Sequence, residues 1–259
     1  MKKRIFLTAL LLCFALVFSA CKENTTETIA PTETTLDTRP TEEPTQPTQT
    51  QPLHSPLYIE GVEVEDVIQY FNEVCLDAEI VNGGDATVLQ KWTSPIYYML
   101  NGSPTKEDLL VLFDFVAWLN TIDGFPGMQQ THILSEANLQ IHFCTQQELL
   151  DIMGQEYTYM DGAVTFWYNN NAIYNSTICY RTDLHQGLRN SVILEEIYNG
   201  LGPIQDTALR PDSIIYSGFS EPQSLTAVDE LILKLLYHPQ LLPGMDAEAC
   251  EAVIRQLYY

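Results

Sequence analysis

Residues 22–53 contain 11 Thr and 5 Pro and almost no large apolar side chain. A run such as Pro44-Thr45-Gln46-Pro47-Thr48-Gln49 has nothing to bury, so it cannot offset the entropy of ordering its own backbone. That stretch divides the chain. We read residues 21–53 as a solvated tether and residues 54–259 as one globular domain. The hydrophobic fraction of 46% is ample for one sizeable core. Lys and Arg number 12 against 34 Asp and Glu, a formal charge of −22. This excludes nucleic acid as a partner, because phosphates need cations to neutralise them. It equally opposes electrostatic docking on anionic lipid.

The first 20 residues read as an export signal. Lys2, Lys3 and Arg4 precede an apolar run, Ile5 to Phe18, that is short for a bilayer span. The run closes on Val17-Phe18-Ser19-Ala20-Cys21, which resembles a bacterial lipobox with Phe18 in place of the usual Leu. The resemblance implies cleavage before Cys21 and lipidation of Cys21; a plain secretory signal is the alternative. Either route exports the chain, and acylation at Cys21 would hold it by lipid on the outer face of a membrane. Losing residues 1–20 removes three cations and no carboxylate, which takes the charge to −25.

Within the domain the periodicity predicts an α+β fold. Val62–Ala78 has helical spacing at 64, 67, 68, 71 and 74, and Thr87–Leu100 reads as a strand. Ser103 or Thr105 caps a helix that runs through Leu119. Asn138–Cys144 alternates Leu139, Ile141 and Phe143 inward with Gln140 and His142 outward. A short helix covers Gln146–Met153, and Ala163–Tyr168 with Ile173–Arg181 forms a hairpin through Asn169-Asn170-Asn171. Helices follow at Leu188–Leu201, stopped by Gly202-Pro203, at Leu225–Tyr237, capped by Thr226, and at Ala247–Tyr258. This order implies helices packed on a mixed β-sheet.

The segment Leu194-Glu195-Glu196-Ile197-Tyr198-Asn199-Gly200-Leu201-Gly202-Pro203-Ile204-Gln205-Asp206 carries the main functional signal. It resembles the active-site helix of zincin-type metallopeptidases, His-Glu-x-x-His-x-x-Gly-x-x-His/Asp. Glu196 falls on the catalytic Glu and Gly202 on the turn Gly. The two helix His positions hold Glu195 and Asn199, and the third ligand position holds Gln205, with Asp206 beside it. The strands around Lys91-Trp92 and Ala137–Ile141, and the helix Leu225-Thr226…Asp229…Leu236-Tyr237, resemble further zincin elements. Together they are similar to an uncharacterised family of bacterial exported proteins with a zincin-like domain of unknown function. The resemblance implies a zincin-like α+β domain with a central motif helix.

The departures bear on the chemistry. Asn and Gln oxygens are poor zinc ligands. Glu195 and Asp206 with amide oxygens suit a hard ion such as Ca²⁺ better, though nothing else in the sequence supports calcium. His54, His132, His142, His185 and His238 show no ligand spacing. We therefore expect no metal cofactor and a domain that binds a peptide or glycan at the former metal-ligand positions. The alternative is an active hydrolase with a non-standard metal site and Glu196 as general base. The bland reading is a solvent-facing polar helix side, with Arg189 or Arg210 pairing locally and Ile193, Ile197 and Leu201 forming the buried stripe. Adjacent carboxylates on one helix diverge by about 100°, which does not suit a glycosidase pair. No Gly-x-Ser-x-Gly elbow and no Gly-rich phosphate loop occurs. Tyr157, Tyr159, Trp167 and Tyr168 read as core or cross-strand aromatics, with a carbohydrate-stacking surface as the alternative.

Cys13 leaves with the signal. Cys75, Cys144, Cys179 and Cys250 remain, an even number that permits two disulfides in an exported chain. Cys144 and Cys179 fall at predicted strand ends, which favours pairing 144–179 and 75–250; buried free thiols are the alternative.

Overall fold

The computed structural model describes residues 55–76 and 88–259. The export signal, Cys21 and the tether lie outside the described residues. The fold is mixed α/β. Its sheet has six strands: β1 Lys91–Trp92, β2 Ile96–Gly102, β3 Met128–Gln130, β4 Leu139–Cys144, β5 Gly162–Asn169 and β6 Ala172–Arg181. Among the described residues six α-helices accompany it: α1 Val64–Leu76, α2 Lys106–Leu119, α3 Gln146–Met153, α4 Gln186–Gly200, α5 Ala227–Leu236 and α6 Ala247–Tyr258.

Across the sheet the order is β3-β2-β4-β6-β5, with β1 alongside the start of β6. Every pairing is parallel except β5 with β6, so one antiparallel hairpin closes an otherwise parallel sheet. The register explains the burial. Leu100 lies opposite Ile141, Ile141 opposite Ile178, and Phe143 opposite Tyr180, which puts these side chains on one face. That face is covered by α4, whose Ile193, Ile197 and Leu201 are buried against the core. Tyr180 Oη donates to Ile193 O at 3.3 Å, and Trp92 Nε1 donates to Gly200 O at 3.0 Å, pinning the middle and the C-terminal end of the helix. On the opposite face α3 packs over Cys144 and Cys179. The remainder of that face is half-exposed.

Local chemistry sets the helix starts. Thr105, Thr145 and Thr226 are N-caps, each in a reciprocal capping box with Asp108, Glu148 and Asp229. Each cap contributes about 1 kcal/mol.

Three details differ from the sequence expectation. The strand expected over Thr87–Leu100 is two strands, separated by exposed residues 93–95. Pro95 has no N–H for a ladder and breaks it there. β3 was not expected; three residues are too few for an alternation to register. Helix α4 starts earlier, at Gln186, because the His185 side chain caps it by accepting from Leu188 N at 3.4 Å.

Candidate functional site

The motif helix carries two adjacent carboxyls in different surroundings. Glu196 is 7% exposed and points at the start of β5. The approach is close: a Cβ on Gly162 would stand 2.6 Å from Glu196 Oε1 and 2.5 Å from Val192 Cγ1. Only a residue without Cβ lets β5 pass α4 there. Among the described residues Glu196 has no hydrogen bond and no ion pair. Burial, followed by the Glu195 and Asp206 charges, pushes its carboxyl well above the ordinary range. Glu195 is half-buried, and burial, then Asp206 and Asp161, pushes it up to about 8.

The turn after α4 completes the cluster. Gly202 has φ +136°, and a Cβ there would lie 2.6 Å from Gln90 O, so glycine is required for the chain to fold back. The returning loop places Asp206 beside Asn199, whose Nδ2 donates to Asp206 Oδ1 at 3.4 Å. Asn199 Oδ1 is buried with no partner among the described residues. Gln205 is half-buried in the same turn. The structure thus brings Glu195, Glu196, Asn199 and Asp206 together and adds Asp161, at the mouth of the β5–β6 hairpin. Sequence reasoning missed Asp161 because its proximity depends on the hairpin register.

Arg181 pairs with Asp161 at 2.9 Å and with Asp183 at 3.0 Å, but neither arginine expected to pair with the motif helix does so. Arg189 forms a buried ion pair with Asp108 of α2 and donates to Thr182 O at 3.1 Å. Arg210 pairs with Asp212 at 3.0 Å and lies over the Tyr70 ring at 5.8 Å. The solvent-facing polar side is also corrected, since Glu196 is enclosed. A buried carboxylate elsewhere shows the contrast. Asp229 is fully buried and accepts from Tyr70 Oη, Ser213 Oγ, Ile214 N, Thr226 N and Thr226 Oγ1. Its role is to hold α1, α5 and the 213–215 loop together.

Among the described residues no group of three or more His, Cys, Asp or Glu side chains is arranged to hold a metal ion. His185 is a helix cap paired with Glu221 at 3.2 Å, His238 accepts from Gln240 N at 3.3 Å, and His142 lies half-buried on the sheet. His54 lies outside the described residues. The donor set around α4, two neutral amides and carboxyls where imidazoles would stand, is a poor one for zinc.

The four domain cysteines are buried thiols. Cys144 and Cys179 hydrogen-bond on neighbouring strands, and Cys75 lies beside Cys250 between α1 and α6. The sequence favours disulfides 144–179 and 75–250, with free thiols as the alternative; in the structure all four are free. The hydrogen bond from Cys179 lowers the Cys144 thiol. The aromatic expectation needs correction: Tyr159 is 94% exposed, and Trp167 and Tyr168 are about half exposed. They are not core residues.

No curated protein is significantly similar to the chain. A family pattern does match. Described as "Protein of unknown function (DUF2927)", it covers residues 64–256, from the first residue of α1 almost to the end of α6. It therefore takes in the sheet, the motif helix and the acidic cluster together, and the chain belongs to the DUF2927 family.

Proposed function

We propose that this chain is an extracytoplasmic lipoprotein, held at the cell membrane through Cys21, whose domain is a zincin-like, catalytically degraded metallopeptidase relative that binds peptides. The observation that carries the reading is Glu196, a buried carboxyl with no partner among the described residues, set directly beside Glu195. Arg181 reaches Asp161 at the edge of the acidic cluster, and among the described residues no Lys or Arg pairs with Glu195 or Glu196. A Lys or Arg side chain of a ligand supplies that cation, and its charge returns the carboxyls to their ionised form. The site adjoins an edge strand: β5 pairs with β6 alone among the described strands. An extended peptide can add to that open edge by main-chain hydrogen bonds, with one basic side chain directed at the Glu195–Glu196 pair. The zincin-like part of the reading is supported by the order of elements, with the motif helix following a strand next to the antiparallel edge.

Hydrolysis with Glu196 as base is the weaker reading. The positions where that reaction's metal needs imidazoles hold Glu195, Asn199 and Gln205, and neutral amides are poor zinc ligands.

The test is calorimetric titration of the full chain with extended peptides that contain or lack lysine, in buffers of different ionisation enthalpy. Lysine peptides should bind with proton release, and Glu195→Gln should reduce that release. Equal binding of peptides with and without a basic residue would refute the cation role. Metabolic labelling with a fatty acid, lost in Cys21→Ser, tests the anchor.

A further inference from the structure

The second face of the sheet carries an unused surface. Strand register places its side chains in rows. One row crosses the sheet as Gln129, Tyr97, Asn175 and Trp167, with Gln129 opposite Tyr97 and Asn175 opposite Trp167. The next row is Met99, Gln140, Thr177 and Thr165, each directly opposite its neighbour on the adjacent strand. These residues are half-exposed or exposed. Four inter-strand steps make the strip roughly 19 Å long.

Two properties set this strip apart. First, parallel strands are ordinarily covered on both faces, and here, among the described residues, α3 covers only the end marked by Cys144 and Cys179. Second, neither row contains an Asp, Glu, Lys or Arg, in a chain of formal charge −22. Beyond the strip, Glu148 and Asp151 of α3 line a small cavity of about 210 Å³ with Asn101 and His142.

The lining selects among occupants. A second copy of the chain, or another protein, would bury a contiguous apolar core, whereas Tyr97 and Met99 on β2 are separated from Trp167 on β5 by the amides and hydroxyls of Gln140, Asn175 and Thr177. A charged ligand would find no counter-charge. What the strip offers is neutral amides and hydroxyls, which both donate and accept, between the rings of Tyr97 and Trp167. Sugar hydroxyls match the first, and the C–H faces of a pyranose match the negative faces of the rings. Gln140 Oε1 already accepts from Asn101 Nδ2 at 2.9 Å, which holds the Gln140 amide in one orientation for a ligand.

We infer that the open face of the sheet, from Tyr97 across Gln140 and Thr177 to Trp167, is a binding surface for an uncharged polysaccharide. It lies on the opposite side of the sheet from α4 and does not depend on the peptide reading.

The experiment is co-sedimentation of the full chain with insoluble cellulose, chitin, xylan and starch. Retention on at least one is expected. Tyr97→Ala with Trp167→Ala should weaken retention by about tenfold or more, the scale of a lost stacking contact. Gln140→Glu should also weaken it while leaving the melting temperature unchanged, since that side chain is at the surface. Glu195→Gln should leave retention intact, which separates this site from the acidic pocket. Failure of the unaltered chain to sediment with any of the four overturns the inference. So does retention that survives the double aromatic variant, or a dimer in sedimentation velocity that Gln140→Glu dissolves, which would assign the face to a second copy.

Discussion

Replacing Glu195 with Gln should make the protein more stable at alkaline pH and leave it unchanged in acid. The ordinary value for this carboxyl is 4.5, and the fold holds it at about 8. In acid both the folded and the unfolded chain carry the proton, so there is no penalty. As pH rises past 4.5 the unfolded chain ionises first and is stabilised, so folding stability falls until the folded carboxyl ionises near 8. The slope reaches at most ~1.4 kcal/mol per pH unit, and the ceiling across this window is ~5 kcal/mol. Water screens a half-buried group, which reduces the expected loss to ~2–3 kcal/mol. Gln fills the same volume and does not titrate. Urea unfolding followed by tryptophan fluorescence at about pH 4.5, 6, 7 and 8.5 gives the midpoint at constant m. The two proteins should match at the lowest pH and diverge by ~2–3 kcal/mol at the highest. Comparing them cancels the general self-repulsion of an acidic chain, which is nearly common to both. Parallel curves for the two proteins would refute the reasoning.

Other outcomes follow from single contacts. Gly202→Ala places a Cβ 2.6 Å from Gln90 O at φ +136°, and should cost ~2–4 kcal/mol by thermal melting. Asp229→Ala strips the shared acceptor from Tyr70 and Ser213 and should cost ~3–5 kcal/mol, measured by chemical denaturation. Gly162→Ala drives a methyl into Glu196 and Val192; if the acidic pocket holds the peptide, this variant should lose peptide binding more than polysaccharide retention. Non-reducing peptide mapping of oxidised protein should give Cys144–Cys179 and Cys75–Cys250 links, and a crossed pairing would contradict the packing.

The elements were legible where periodicity was long. Leu139, Ile141 and Phe143 announce β4, and Thr226 with Asp229 announces α5 as a capping box. The triple Asn turn announced the hairpin, and Asn170 and Asn171 take the positive φ it requires. β3 was hidden because its pairing with β2 is non-local. The open sheet face was hidden for a different reason. Gln140 and His142 were read as outward, but their neutral neighbours lie on four other strands, and only the register assembles them.

The acidic cluster and Asp229 together separate structure from function. Both Asp229 and Glu196 are buried carboxyl groups on helices that pack against the same core. Asp229 is surrounded by donors from three segments, which is how a fold retains a buried carboxylate for stability. Glu196 is surrounded by other acids and receives no donor among the described residues. A Leu at that position would suit the folded chain better at neutral pH, because burying an unpartnered acid costs about 1–3 kcal/mol even when it is neutral. The Cβ-free approach at Gly162 and the return through Gly202 keep β5 and the Asp206 loop close to this group rather than filling the space. An arrangement that disfavours folding yet is built from two sterically required glycines is explained by a bound state in which a cation enters the cluster, and the stability gained on adding a lysine peptide should therefore shrink in Glu196→Gln.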